Sequence, residues 1–182
     1  MAIINNSSKG RVAINVVYSA FLGMLHLRDE PTLAAIAEVK KEIGDETWKQ
    51  GFTGGGNTPS GKARQLLKER GVFGVDVVGR LTSARVKDRE IKGRTHKYLT
   101  VGLADEDGQT YISVEMGQEA AQKLVRKLVN AQPNVETVIS LFGTMDPIRE
   151  GATRAYASHA ASLRQGNAQV PGIHPSDGLK KA

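Results

Sequence analysis

The sequence contains no cysteine, which excludes disulfide bonds and thiolate metal sites. Aromatic residues make up only 5% of the chain, with a single Trp. No apolar run reaches the roughly 20 residues that a transmembrane helix needs, and the N-terminal segment lacks the basic and apolar regions of a secretory signal. We therefore expect a cytoplasmic protein without a membrane partner.

Basic charge is concentrated in one part of the chain. The formal net charge is +6, and residues 80–97 carry seven Lys/Arg against two Asp/Glu. The following segment, residues 98–150, reverses this balance with four Lys/Arg against eight Asp/Glu. A localised basic stretch of this kind indicates a polyanionic partner such as nucleic acid.

The N-terminal part, residues 1–71, is expected to be a helical region with a glycine-rich linker. Residues 11–27 carry apolar residues at helical spacing, although their β-branched start leaves a strand open as an alternative. Asp29, Pro31 and Gly44 mark the limits of a second helix over residues 29–43. A glycine-rich stretch at residues 51–61 leads into a short helix at 62–70, for which Ser60 is the expected N-cap.

From residue 72 the apolar pattern changes to a period of two, which is typical of strands. Strands are predicted at 75–83, 98–103, 110–116 and 135–145, and a helix at 118–130 between the third and fourth. Residues 85–97 between the first two strands are expected to form a charged loop. The Ala-rich residues 152–158 suit either a fifth strand or a helix, and residues 166–182 are expected to be a disordered basic tail.

This order of elements resembles OB-fold single-stranded-DNA-binding proteins, including the small ones that bacteriophages encode. The resemblance implies an α+β fold: a five-stranded OB-like antiparallel barrel over residues 72–165, with a helix between strands three and four. It also implies that a nucleic-acid strand lies across strands two and three, beside the loop that joins strands one and two.

Residues at those positions suit such a ligand, because single-strand binders combine a cationic groove with aromatic rings on which bases stack. Tyr98 and Tyr111 lie on the polar phase of their strands and are expected to point outward together. Phe142 is a third candidate for stacking. The predicted phosphate contacts are Arg80, Arg85, Lys87, Arg89, Lys92, Arg94 and Lys97.

Several other interpretations stay open at this stage. The charged loop is also compatible with a solvated hairpin, and the tyrosines with cross-strand packing. The ligand can equally be RNA, and the helical half can serve self-association into a homo-oligomer or recruitment of a polymerase or other replication partner. The Gly56–Lys62 stretch matches the first seven positions of the phosphate-binding loop of P-loop NTPases, which keeps such an enzyme as an alternative, but Ala63 replaces the required hydroxyl. We expect no enzyme activity, metal or cofactor.

Overall fold

The computed structural model describes residues 13–145 and 156–173, together with the strand formed by residues 2 and 3. Among these residues are four helices: α1 (Glu30–Ile43), α2 (Asp45–Lys49), α3 (Pro59–Glu69) and α4 (Glu119–Leu128). They also include nine strands: β1 (Ala2–Ile3), β2 (Ile14–Ser19), β3 (Met24–Leu27), β4 (Val75–Ile91), β5 (Arg94–Ala104), β6 (Gln109–Glu115), β7 (Glu136–Met145), β8 (Ala157–Gln165) and β9 (Ala168–Gln169).

The strands pair in the order β4-β5-β6-β2-β3-β7-β8-β9. Strand β4 also pairs with β7, and the two-residue β1 pairs with β4 in parallel. Strands β2 and β6 are parallel as well, whereas the remaining pairs are antiparallel. The fold is therefore mixed α+β with an eight-stranded sheet and four helices, and the prediction of a five-stranded OB-like barrel is wrong.

The prediction failed first at the segment before α1, which forms β2 and β3 rather than a helix. Val16 and Tyr18 alternate into the main core, as strand residues do, while Phe21 and Leu22 turn into a second apolar cluster. The helical spacing of the apolar residues did not reveal that they divide between two clusters. The β-branched residues favoured a strand, and pairing with β6 decided the outcome.

Two apolar clusters hold the molecule together. The main core lies beneath the sheet and includes Leu103, Ile112 and Ile139, and the apolar face of α4 packs against it through Leu124. The second cluster joins α1 and α3 to the β2–β3 turn through Val39, Leu67, Phe21, Leu22 and Met24. Helix α1 was predicted correctly, because Asp29 caps it through the Thr32 N–H at 2.9 Å and it ends at Gly44.

The C-terminal part is more ordered than composition suggested. Val170 is buried, the Ile173 N–H donates to the Arg126 carbonyl at 3.1 Å, and Asn130 Nδ2 donates to the Pro171 carbonyl at 2.8 Å. The prediction of disorder is therefore wrong for residues 166–173, which dock on the end of α4. Residues 174–182 lie outside the described residues, as does most of the strand expected at 152–158; β8 begins at Ala157.

Candidate nucleic-acid interface

The segment predicted as a charged loop is a two-stranded ribbon formed by the ends of β4 and β5. Their pairing continues without a break from Ser83 opposite Gly102 to Ile91 opposite Arg94. The turn is two residues long, and positive φ at Lys92 (51°) and Gly93 (77°) is the conformation of a type I′ hairpin turn. The basic charge is consequently carried on regular strands, which fix the direction of each side chain.

The ribbon separates its charges by face. Arg85, Lys87 and Arg89 alternate along β4 and pair with Thr100, Tyr98 and His96, so all three point away from the core. We call this surface the cationic face. Arg94, opposite Ile91 near the turn, belongs to the same face.

The other face of the ribbon carries the two acidic residues of this segment, Asp88 and Glu90, together with Lys97. Lys97 Nζ lies 3.2 Å from Asp88 Oδ1. The pair is exposed, so it adds little to stability, but it balances the charge of Lys97 locally. Lys97 was predicted to join the phosphate contacts, and the structure instead places it away from the cationic face.

A β-bulge gives the cationic face its orientation. Leu81 pairs with Leu103 in the core, whereas Ser83 pairs with Gly102 on the outer face, so Thr82 is an extra residue between them. In a regular strand, the odd-numbered residues after Leu81 would all point inward. The bulge reverses this phase, and Arg85, Lys87 and Arg89 face solvent because of it.

The cationic face continues across β5, β6 and β2 as one groove of about 550 Å³. Tyr111 lies on this surface, where its neighbours in the sheet are Gly102 on β5 and Asn15 on β2. A Cβ at Gly102 would lie 3.2 Å from the Tyr111 ring and 2.5 Å from Ser83 Oγ. The missing side chain therefore leaves room for the ring to lie over β5.

Hydroxyl and amide groups form much of the groove surface, and none of them was among the predicted site residues. The alternation of β5 and β6 places Thr100 and Ser113 on the polar side of these strands, so these two could have been predicted. Thr82 and Ser83 could not, because the bulge was not recognised, and Asn15 could not, because β2 was predicted to be helical. Those that line the groove are Asn15, Thr82, Ser83, Thr100, Gln109 and Ser113.

Tyr98 and Tyr111 lie on the same outer face, as expected from their phase. Tyr98 pairs with Glu115, and Tyr111 with Gly102 four residues further along β5, which separates the two positions by about 13 Å along the strand direction. Their environments differ. Tyr111 lines the groove, whereas the guanidinium of Arg89 lies 4.7 Å from the centroid of the Tyr98 ring.

Three other predicted residues do not line the groove. Arg80 precedes the bulge and lies opposite Glu136 of β7, and Lys92 occupies the ribbon turn. Phe142 is 42% exposed on β7, between Met24 and Ala160 of the neighbouring strands. The structure therefore brings together Arg85, Lys87, Arg89 and Tyr111, with Tyr98 and Arg94 on the same face.

The glycine-rich loop before α3 is occupied by its own contacts. Thr58, rather than Ser60, caps the helix: its Oγ1 accepts from the Gly61 N–H at 3.1 Å. The Ser60 N–H donates to Thr53 Oγ1, and the Lys62 N–H donates to the Thr58 carbonyl. The N–H groups at the start of α3, where a phosphate would lie, are thus already bonded, and α2 and a turn precede the loop instead of a buried parallel strand.

Comparison with known proteins found no significant similarity to this chain. No family model matches the chain, and neither a curated protein nor a solved structure is significantly similar to it. Among the described residues, no helix is long and apolar enough to cross a membrane. Within the same residues, no three His, Asp or Glu side chains are placed to hold a metal ion. The geometry of the groove therefore carries the functional argument alone.

Proposed function

We propose that the protein binds single-stranded nucleic acid, in the first place DNA, largely without sequence preference. The phosphates would lie along Arg85, Lys87 and Arg89, and a base would stack on Tyr111. Such a protein would serve replication, recombination or transcription, and would act in the cytoplasm. One observation carries the proposal: a row of three cations and an outward aromatic ring line a single groove.

The spacing of the cations supports a strand-like ligand. Alternate residues of a strand lie about 6.7 Å apart, so Arg85, Lys87 and Arg89 form a row about 13 Å long. A flexible chain of phosphates can follow such a row, and each contact releases counterions, which makes binding weaker as salt increases. Because the two carboxylates of the ribbon are on the other face, the row is not neutralised by them.

The position of Tyr111 favours a single strand over a duplex. Its ring lies within the groove, beside the β4 row and over Gly102 of β5. In a duplex the faces of the bases are covered by their neighbours, whereas an unpaired base can turn its face onto a ring. Hydroxyl and amide side chains on the groove surface can bond the edges of any base, which suits binding without strict sequence preference.

The direct test is a titration of labelled oligonucleotides at two salt concentrations. We expect a single-stranded DNA to bind more tightly than the matched duplex, and its affinity to fall with salt. Replacing Arg85, Lys87 and Arg89 together by Gln should reduce the slope of log K against log salt by about two, since each contact to a single strand contributes about 0.7. Tyr111→Ala should weaken binding at least fivefold, because stacking contributes about 1–3 kcal/mol per base.

Equal affinity for duplex and single strand, or affinity independent of salt, would contradict the proposal. An RNA oligonucleotide of the same sequence belongs in the same titration, because only the 2′-hydroxyl separates the two ligands at such a site. Tighter binding of RNA would transfer the proposal to RNA on the same groove.

A further inference from the structure

We infer that Tyr98 is a positioning residue: it holds the guanidinium of Arg89 flat, and a base of the bound strand stacks on the outer side of that guanidinium. The inference rests on the proposed function, and it changes the role of Tyr98 from a stacking surface to the support of one. The order of layers would be ring, guanidinium, base. The ligand at this position is therefore an unpaired nucleobase, recognised through its π-face.

The ribbon geometry brings the two side chains together. Lys87 is the residue directly opposite Tyr98, and Arg89 is its diagonal neighbour on the same face. Diagonal positions lie within reach of long side chains and rings. The guanidinium carbon of Arg89 accordingly lies 4.7 Å from the Tyr98 ring centroid, well inside the range of a cation–π contact.

Neighbouring contacts help to keep Arg89 over this ring. His96 lies directly opposite Arg89, and its Nδ1 is 3.3 Å from Glu115 Oε1. Glu115 pairs with Tyr98 on β6, so the carboxylate beside the ring already has a partner other than Arg89. Arg89 is half-buried, unlike the exposed Arg85 and Lys87 of the same row. Immobilising its side chain before binding reduces the entropy that a ligand contact would otherwise cost.

Arginine has the chemistry that this role needs. Its guanidinium is planar, is weakly hydrated and stacks on aromatic planes, so it can lie between a tyrosine ring and a base. A lysine at the same position would keep the charge but could not provide a second flat surface. Arg89 and Lys87 thus have different roles on one strand: both neutralise phosphates, and Arg89 in addition presents its plane to a base.

The test compares Arg89→Lys, Tyr98→Ala, Tyr98→Phe and the double variant Arg89→Lys/Tyr98→Ala in the full-length protein, with oligo(dT) as the probe. We expect Arg89→Lys and Tyr98→Ala each to weaken binding about fivefold or more while the salt slope stays unchanged. Tyr98→Phe should bind like the wild type, because it keeps the ring. The double variant should bind no more weakly than the single variant with the larger loss, because both substitutions disrupt the same stack of Tyr98 and Arg89.

Arg64→Lys is the matched control, because Arg64 also lies over an aromatic ring, with its guanidinium carbon 5.4 Å from the Phe52 ring centroid, but on α3 and outside the groove. It should leave affinity within about twofold of the wild type. Wild-type affinity for Arg89→Lys, or losses that add in the double variant, would overturn the inference while leaving the proposed function intact.

A measurement without nucleic acid separates the two ideas further. In the free protein, the side-chain protons of Arg89 should show an upfield NMR shift from the Tyr98 ring current, which Tyr98→Phe keeps and Tyr98→Ala abolishes. Absence of that shift would overturn the inference regardless of binding. If the shift is present but the protein does not prefer single strands, the contact between Tyr98 and Arg89 stands and only the proposed function fails.

Discussion

Leu81 and Ser83 are two residues apart on β4 but point to opposite sides of the sheet, because Thr82 is an additional residue between them. Leu81 packs in the core opposite Leu103, and Ser83 lies opposite Gly102 in the groove. Because Thr82 is accommodated as a bulge, the cations that follow are exposed to solvent instead of being directed toward the core side of the sheet.

Inserting one alanine between Ala84 and Arg85 should abolish this arrangement. The added residue would turn Arg85, Lys87 and Arg89 to the opposite face of the ribbon, and we expect binding of a single-stranded oligonucleotide to fall at least tenfold. The sheet should survive, because Val77 and Arg80 remain paired with β7.

Thr82→Ala is the control for that insertion. It keeps the extra residue and loses one hydrogen bond, from Thr82 Oγ1 to Gln109 Oε1 at 3.2 Å. It should bind within about threefold of the wild type, since such a bond contributes about 1 kcal/mol or less at an exposed site. Circular dichroism of both variants checks the fold. Full affinity in a folded insertion variant would mean that the phase of the ribbon does not matter.

Gly61 makes a second prediction, on stability. A Cβ at this position would lie 2.5 Å from the Gly56 carbonyl oxygen and 2.7 Å from the Gly56 nitrogen, both of which are backbone atoms. Gly61→Ala should therefore lower the free energy of unfolding by about 2 kcal/mol, despite the better helix propensity of Ala. Urea unfolding followed by circular dichroism measures this change.

Gly117→Ala provides the comparison for Gly61, because a Cβ there meets nothing within 4 Å. It should change stability by no more than about 0.5 kcal/mol. If the two variants were equally stable, close packing of the loop on α3 would not explain Gly61. Binding of a phosphate by its backbone would then be the alternative to test.

Two histidines predict a loss of stability in mild acid. Burial lowers the pKa of His26, against the opposing effects of the Leu27 carbonyl and Asp29. Burial likewise lowers the pKa of His159, whose Nδ1 lies 2.5 Å from the Tyr18 hydroxyl; Glu119 opposes this shift and Lys123 adds to it. In the folded state both rings therefore resist the proton that they accept in the unfolded chain.

The sign of the effect follows from this difference. Below the ordinary histidine pKa of 6.5 the unfolded state binds more protons, so the free energy of unfolding decreases as the pH falls from 7 toward 5. Urea midpoints measured at intervals across this range should decline. His26→Gln and His159→Gln should each make the decline shallower, whereas an unchanged slope in both variants would show that these rings are not its source.

Local patterns predicted the elements whose causes are local. Asp29 and Gly44 limited α1 correctly, and the alternation around Leu99–Leu103 and Ile112–Met116 identified β5 and β6 with their outward tyrosines. Strands β2 and β3 were missed because their stability depends on partners far away in sequence. Ile14, for example, pairs with Thr110.

Only part of the candidate site could be predicted from the sequence, for the same reason. The sequence indicated which residues were basic, but not that a bulge and a regular hairpin would sort them by face. Lys97 and Lys87 looked equivalent as members of one charged loop, and only the register with Asp88 and Tyr98 distinguishes them.

That distinction provides the most direct test of the central claim, that one face of the ribbon contacts phosphates. Lys87→Ala and Lys97→Ala remove the same charge from directly neighbouring strands of the ribbon, on opposite faces. The measurement is the dependence of log K on log salt for a single-stranded oligonucleotide. We predict that Lys87→Ala lowers the slope by about 0.7 and weakens binding, while Lys97→Ala leaves the slope unchanged. Equal slopes in the two variants, or a loss confined to Lys97→Ala, would contradict the account.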